Sequence, residues 1–146
     1  MSDFSHGLRV YWEDTDAGGV VFYANYLKFF ERARTEWLRA LGFEQEQLRV
    51  EGGAMFIVGS TSVRYLSPAR LDDFLHVSVR LTERGRVSMT LFQQARRARD
   101  GALLAEGEIR IGCVDSHSFK PTRIPAPILQ ALDTRTTPLL PATTRE

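Results

Sequence analysis

Apolar positions along this chain follow two periods, and the switch between them falls near residue 54. From about Val21 to Leu41 they recur at helical spacing. At ~100° per residue, Phe29, Ala40, Ala33, Tyr26, Trp37, Phe30, Leu41, Leu27 and Leu38 fill about half of the circumference. Lys28, Arg32, Thr35, Glu36 and Arg39 take the other side, and Gly42 follows in the C-cap position. So wide an apolar arc requires a large surface to pack against, which points to a sheet. Arg34 is the one charge inside the arc, with Glu31 on its edge; its long stem allows it to reach solvent or a partner chain.

Beyond residue 54 the period shortens to two. In FLHVSVRLT (74–82), Leu75, Val77, Val79 and Leu81 alternate with Phe74, His76, Ser78 and Arg80. In ALLAEGEIRIGCV (102–114), Leu103, Ala105, Ile109, Ile111 and Cys113 stand against Glu106, Glu108 and Arg110. MFIVGSTSVRYL (55–66) and VSMTLFQQARR (87–97) supply two more long strands. The short ERGR and RDG turns predict that consecutive strands pair as an antiparallel meander. Ahead of the helix, LRVYWE (8–13) reads as a short strand with Val10 and Trp12 on one face. Pro121, Pro125 and Pro127 end the strands, IPAPILQALD fits a last short helix, and TRTTPLLPATTRE has the composition of a flexible tail. The expected fold is α+β: a curved antiparallel sheet of about five strands wrapped around one long helix. One domain is expected over residues 1–132, with a tail over 133–146.

Composition narrows the class without changing that picture. A chain of 146 residues, 43% hydrophobic and 25% charged, suits one globular domain with a core. No apolar run approaches the ~20 residues of a membrane span. MSDFSHGLRV lacks the pattern of a signal peptide, and the single Cys113 suits a reducing compartment, so a cytoplasmic location is expected. A net charge of +1 argues against a nucleic-acid partner. Lys28 and Lys120 are the only lysines; arginine suits bidentate phosphate contacts, although codon bias yields the same composition. His6, His76 and His117 have no metal-ligand spacing, and no metal is expected.

The chemistry-bearing stretch is EDTDAGGVVFYANYLKFFE (13–31). A calcium loop beginning at Asp14 needs an oxygen ligand at its fifth position and Glu at its twelfth, where Gly18 and Asn25 stand. An aspartyl-phosphatase pattern, even with LDD (71–73) as a distant metal ligand, needs a parallel sheet, and the later strands lack helical crossovers. Two readings remain open. Asp14 and Asp16 serve as turn formers and an N-cap beside ordinary turn glycines, the simpler reading by composition. Alternatively, glycines let a ligand approach the backbone, unpaired N–H groups at a helix start polarise a carbonyl oxygen, and a nearby carboxylate acts as nucleophile or base. GxSxG is absent.

RVYWEDTDAGGVVFYANYLKFFERARTEWLR, with VRYLSPARLDD and the Val114, Asp115, Lys120, Pro121 element, resembles the 4-hydroxybenzoyl-CoA thioesterase class of hotdog-fold proteins. Within that class it is most similar to the acyl-CoA thioesterases associated with the Tol-Pal envelope system, the YbgC-like group. The resemblance spans roughly residues 8–130. It implies hydrolysis of an acyl-CoA to free acid and coenzyme A, the latter being part of the substrate and a product, so that no cofactor is needed. It implies Asp16 as the catalytic nucleophile or general base and the backbone N–H of Tyr23 as the donor to the thioester oxygen. Asp14 and Thr15 support the turn, Gly18 and Gly19 make room for the thioester, Val21 and Phe22 continue the substrate-binding stretch, and Tyr26 lines the acyl pocket.

Many Tol-Pal-associated members carry histidine at the position of Tyr23. Phe22-Tyr23 is closer to the aromatic pair of the hydroxybenzoyl-CoA enzymes; a backbone donor is indifferent to that change, and the shape of the pocket is not. Arg84 and Arg86 match a basic cluster that holds coenzyme A phosphates in those enzymes, and Ser60 and Ser62 are expected to line the site from a neighbouring subunit. The family forms homodimers or homotetramers with shared sites, and an acyl carrier protein or envelope-associated partner belongs to the same expectation. The rival class is a non-catalytic acyl-CoA or acyl-carrier-protein binding module, which needs no ionised Asp16. Hydratase-type hotdogs pair a histidine with an acidic or asparagine partner, a pairing not seen here.

Overall fold

The computed structural model describes residues 3–136. Five strands form one antiparallel sheet: β1 (Phe4–Arg9), β2 (Ala54–Tyr65), β3 (Phe74–Arg84), β4 (Ser88–Arg97) and β5 (Leu103–Asp115), in the order β1-β3-β4-β5-β2. Three helices accompany it, α1 (Asn25–Ala40), α2 (Gln45–Gly52) and α3 (Ala126–Thr136), with a single 3-10 turn at Trp12–Asp14. The architecture is α+β, as the change of period predicts.

The meander holds only for β3, β4 and β5. β2 pairs instead with β5, with Ser60 opposite Arg110 and Ser62 opposite Glu108, so residues 66–73 must cross from one end of the sheet to the other side of β4. β1 and β2 are left as the two edges. Short turns report which strands are neighbours only where a turn is the connection; the 66–73 crossing is a longer one.

The first strand also differs. It lies at Phe4–Arg9, paired with β3 from Val79 to Phe74, earlier than residues 8–13. The chain leaves the sheet because the buried Asp14 carboxylate accepts the Tyr11 N–H at 2.8 Å, while the Asp14 and Thr15 N–H groups donate to the Tyr11 and Trp12 carbonyls. Val10 is fully buried, but Trp12 is 82% exposed and does not share its environment.

α1 buries Tyr26, Phe29, Phe30, Ala33, Trp37 and Leu38 against the sheet, meeting β1 and β3, while Leu27 and Ala40 at the margins of the predicted arc stay exposed. Its end is closed as Gly42 predicts. Gly42 adopts φ +101°, its N–H donates to Arg39 O, and the Phe43 N–H donates to Leu38 O, the paired bonds of a Schellman cap. Arg34 does not simply reach outward. Its Nη1 donates to Oε1 of Gln93 on β4, and the fully buried Gln93 donates Nε2 to the Phe30 and Ser78 carbonyls. A polar side chain survives in this core because each of its groups has a partner.

α2 was not expected; its QEQLRVEG sequence buries no residue and carries no apolar face to read. α3 buries Ile128 and Leu132 and runs past residue 132 through the first residues assigned to a tail, while 137–146 lie outside the described residues.

Candidate active site

Residues 14–22 form a small hydrogen-bonded hairpin before α1. Thr15 pairs with Val21, the Asp16 N–H donates to Val20 O at 2.9 Å, and the Gly19 N–H donates to Asp16 O at 3.0 Å. Gly19 turns the chain with φ +80°, a conformation that favours glycine. The Asp16 carboxylate is exposed at the tip, and its Oδ1 accepts the Gly18 N–H at 2.8 Å. A Cβ at Gly18 would stand 3.3 Å from that same oxygen. The missing side chain thus lets the carboxylate fold back onto its own turn.

The helix was expected from Val21, yet it begins at Asn25. Val20 bridges Arg70, the Val21 N–H donates to Ala69 O at 2.8 Å, and the Phe22 N–H donates to Asp14 O at 3.0 Å. These main-chain bonds hold residues 20–22 extended although their side chains continue the helical period. Asn25 Nδ2 also donates to Asp14 O, at 2.8 Å, which fastens the helix start to the hairpin. The first turn then closes through Asn25 N–H to Phe22 O and Tyr26 N–H to Tyr23 O. Among the described residues, the main-chain N–H groups of Tyr23 and Ala24 have no acceptor. Two donors and one carboxylate therefore belong to one short segment, carried by an exposed Asp16, an exposed Tyr23 and a half-buried Ala24.

Aromatic rings flank these groups. Tyr23 packs on Phe22 at 5.0 Å between centroids and edge-on against Tyr65 at 5.7 Å; Tyr65 also meets Tyr26 at 5.6 Å. Tyr26 is buried, edge-on to Phe29, and its hydroxyl accepts the Ala69 N–H at 3.2 Å. Burial pushes the Tyr26 phenol above its ordinary pKa; Tyr65 is raised by burial first and by Tyr23 second. Both therefore remain protonated at neutral pH. Tyr65 and Asn25 were not singled out from the sequence. Tyr65 closes a strand, and nothing local announces that its ring reaches across to residues about forty positions earlier.

Of the other expected site residues, Val21 belongs to the hairpin and the rest lie elsewhere in the single chain. Val21 is buried and serves the hairpin through its backbone. Ser60 and Ser62 line a polar groove of about 470 Å³ with Thr61, Thr82, Glu83, Thr90, Glu108 and Arg110. Their β5 partners Arg110 and Glu108 project on the sheet face turned away from α1, because the alternate position Gln93 on β4 faces the helix. Arg84 ends β3, and Arg86 lies in the turn that follows it. The Asp16 hairpin is tethered to Ala69 and Arg70, just ahead of the start of that strand, and eleven residues of strand cover about 35 Å. Arg84 is held in a bidentate pair by Asp133 of α3, with contacts of 2.7–3.0 Å. Among the described residues no His, Cys, Asp and Glu cluster suited to a metal occurs, and no helix is long and apolar enough to cross a membrane.

Comparison with known proteins converges on one group. Residues 10–132 match the model of the thioesterase-like superfamily. The acyl-CoA thioesterase YbgC of Haemophilus influenzae is 43% identical over 128 residues, covering 88% of this chain and 93% of that protein. The acyl-CoA thioester hydrolase YbgC of Escherichia coli O157:H7 is 44% identical over 126 residues, covering 86% and 92%. A probable thioesterase from Bartonella henselae superposes with a TM-score of 0.79 at 31% identity, covering 85% of this chain and all of that one.

Proposed function

Since the chain belongs to the thioesterase-like superfamily and has its hotdog fold, we propose that it hydrolyses acyl-CoA thioesters with the carboxylate of Asp16. The observation that carries this reading is the pairing of an exposed, hydrogen-bonded Asp16 carboxylate with unsatisfied N–H groups at Tyr23 and Ala24 on one segment. The thioester oxygen accepts the Tyr23 N–H, which stabilises the negative charge developing on it. Asp16 either attacks the carbonyl carbon, forming an anhydride that water then opens, or removes a proton from the attacking water. In both routes the C–S bond breaks, coenzyme A leaves as the thiolate and takes up a proton, and the acyl group departs as the free acid. Tyr23, Tyr65, Tyr26 and Phe22 supply the surface for the acyl group. Such an enzyme works in the cytoplasm, beside its coenzyme A substrates.

The remaining groups complete the site from a second chain. β2 is an edge strand of twelve residues with main-chain groups open on one side. Ile57, Val58 and Tyr65 along it are at least 42% exposed, more apolar surface than a solvated edge needs. A homodimer joined along this edge, with Ser60 and Ser62 brought toward the partner's hairpin, closes the sheet, and pairing of dimers gives the tetramer. Arg86 then offers positive charge to the nucleotide phosphates, and Arg84 does so on release from Asp133. Small-angle scattering should report at least twice the 16.6 kDa chain mass; a folded monomer at working concentration sinks the shared site.

The direct test of function is release of free thiol from aliphatic and aromatic acyl-CoAs, followed with a thiol reagent. Turnover that depends on protein concentration supports hydrolysis. Tight acyl-CoA binding with no thiol released would instead make the chain the non-catalytic binding module.

A further inference from the structure

One buried ion pair has no part in the chemistry proposed above. Arg97, at the end of β4, lies with its side chain about 10% exposed and donates in three directions: Nε to Asp73 Oδ2 at 3.1 Å, Nη1 to Asp100 Oδ2 at 2.9 Å, and Nη2 to Pro68 O at 2.9 Å. Asp73, about 11% exposed, also accepts the Arg70 N–H at 2.9 Å through the same Oδ2. Two of the three contacts of Arg97 thus hold the 66–73 crossing. The other end of that crossing is fixed by the Leu66 and Ser67 N–H groups donating to Leu104 O.

The crossing is also what the Asp16 hairpin hangs on. Val20 bridges Arg70, the Val21 N–H donates to Ala69 O, and the Ala69 N–H donates to the Tyr26 hydroxyl. Ala69 is fully buried between them. The hairpin tip carrying Asp16, the residues leading into the Tyr23 N–H and the ring of Tyr26 therefore share one support, and Arg97 with Asp73 sets where it stands.

We propose that Asp73 and Arg97 are positioning residues for the Asp16 site, fixing the 66–73 crossing so that carboxylate and amide donors keep the separation the reaction needs. The proposal rests on the Asp16 reading and adds to it two residues remote from the substrate. Displacements of about 1 Å at reacting groups cost rate on the order of a hundredfold, so a loosened support should appear in kcat.

Asp100, whose side chain is 43% exposed against 11% for Asp73, provides a control that shares the Arg97 contact. It accepts a local N–H, from Ala102 at 3.0 Å, and one Arg97 donor, as Asp73 does, but it holds the β4–β5 turn and makes no contact with the crossing. Asp73→Ala and Asp100→Ala should be compared by kcat per folded chain, well below the melting temperature of either, with KM measured alongside. We expect kcat for Asp73→Ala to fall about tenfold or more with KM changed under about threefold, kcat for Asp100→Ala to stay within about twofold, and Asp73→Asn, which keeps an accepting oxygen, to recover part of the loss. A folded Asp73→Ala with normal kcat, or equal kcat losses in both alanine variants, overturns the proposal. If Asp73→Ala does not fold, Arg97→Lys, which keeps the charge but not the three-way fork, takes its place under the same criteria. Asp16→Asn in the same assay separates the two levels. Full activity there removes the catalytic reading itself, whereas an inactive Asp16→Asn beside a fully active Asp73→Ala removes only the positioning role.

Discussion

Replacing Asp16 with asparagine should lower kcat for thioester hydrolysis by about 10²–10⁴-fold, the usual contribution of an essential acid–base group, and by more if the carboxylate attacks directly. Asparagine keeps an oxygen able to accept the Gly18 N–H, so the hairpin retains its shape and only the charge is lost. Asp16 lies at an exposed tip where its replacement removes no packing, so the variant should melt with the wild type. KM should move little, because the proposed site assigns substrate binding to the aromatic and cationic surfaces rather than to this group. The comparison requires protein free of host thioesterases, checked by a second purification. Near-normal turnover in such a preparation would return Asp14 and Asp16 to the simpler role of turn formers.

The largest effect on stability is expected from Phe29→Ala. Phe29 is fully buried on the sheet-facing side of α1, and its ring supports Tyr26 edge-on at 5.8 Å. Removing a buried phenylalanine ring costs about 3–5 kcal/mol, against a total stability of roughly 5–15 kcal/mol for a domain. At roughly 2–4 °C per kcal/mol for a chain of this size, the melting temperature should fall by about 6–20 °C. Leu27, two residues earlier on the same helix and 43% exposed, is the control: Leu27→Ala should shift the transition far less. Similar shifts in the two variants would mean that α1 does not bury the face described here. Activity of Phe29→Ala should also suffer at temperatures where it is still folded, because Tyr26 loses one of the rings that hold it.

Side-chain periodicity made much of this fold legible, and its failures have physical causes. The sheet-facing stripe of α1 and its Gly42 end could be read because both are local signals: spacing on a helix and a positive φ beyond its last turn. The helix start could not, because Val20, Val21 and Phe22 are apolar at the right spacing while their backbone amides and carbonyls are used elsewhere. β1 was displaced because Ser5, His6 and Gly7 at an edge carry no alternation to detect. The position of β2 beside β5 depends on pairing between residues about fifty apart, which no turn sequence encodes.

The candidate site divides in the same way. The two aspartates, the glycines and the amides after them lie within eleven residues, so they could be picked out together as a candidate in order along the chain. Tyr65 and Ala69 reach the same place from distant elements, with Asp73 and Arg97 holding the crossing behind Ala69, and only the folded chain brings them in. Ser60, Ser62, Arg84 and Arg86, inferred by resemblance, are not gathered around Asp16 within one chain.

The tether of the Asp16 hairpin to Ala69 runs largely through peptide groups, while the surface beside it is made of ring side chains on Phe22, Tyr23 and Tyr65. Mutation alters rings one at a time and leaves peptide groups in place. If Asp16 is the catalytic carboxylate, changes at those three rings should alter which acyl groups are accepted while the main-chain tether of the hairpin stays in place.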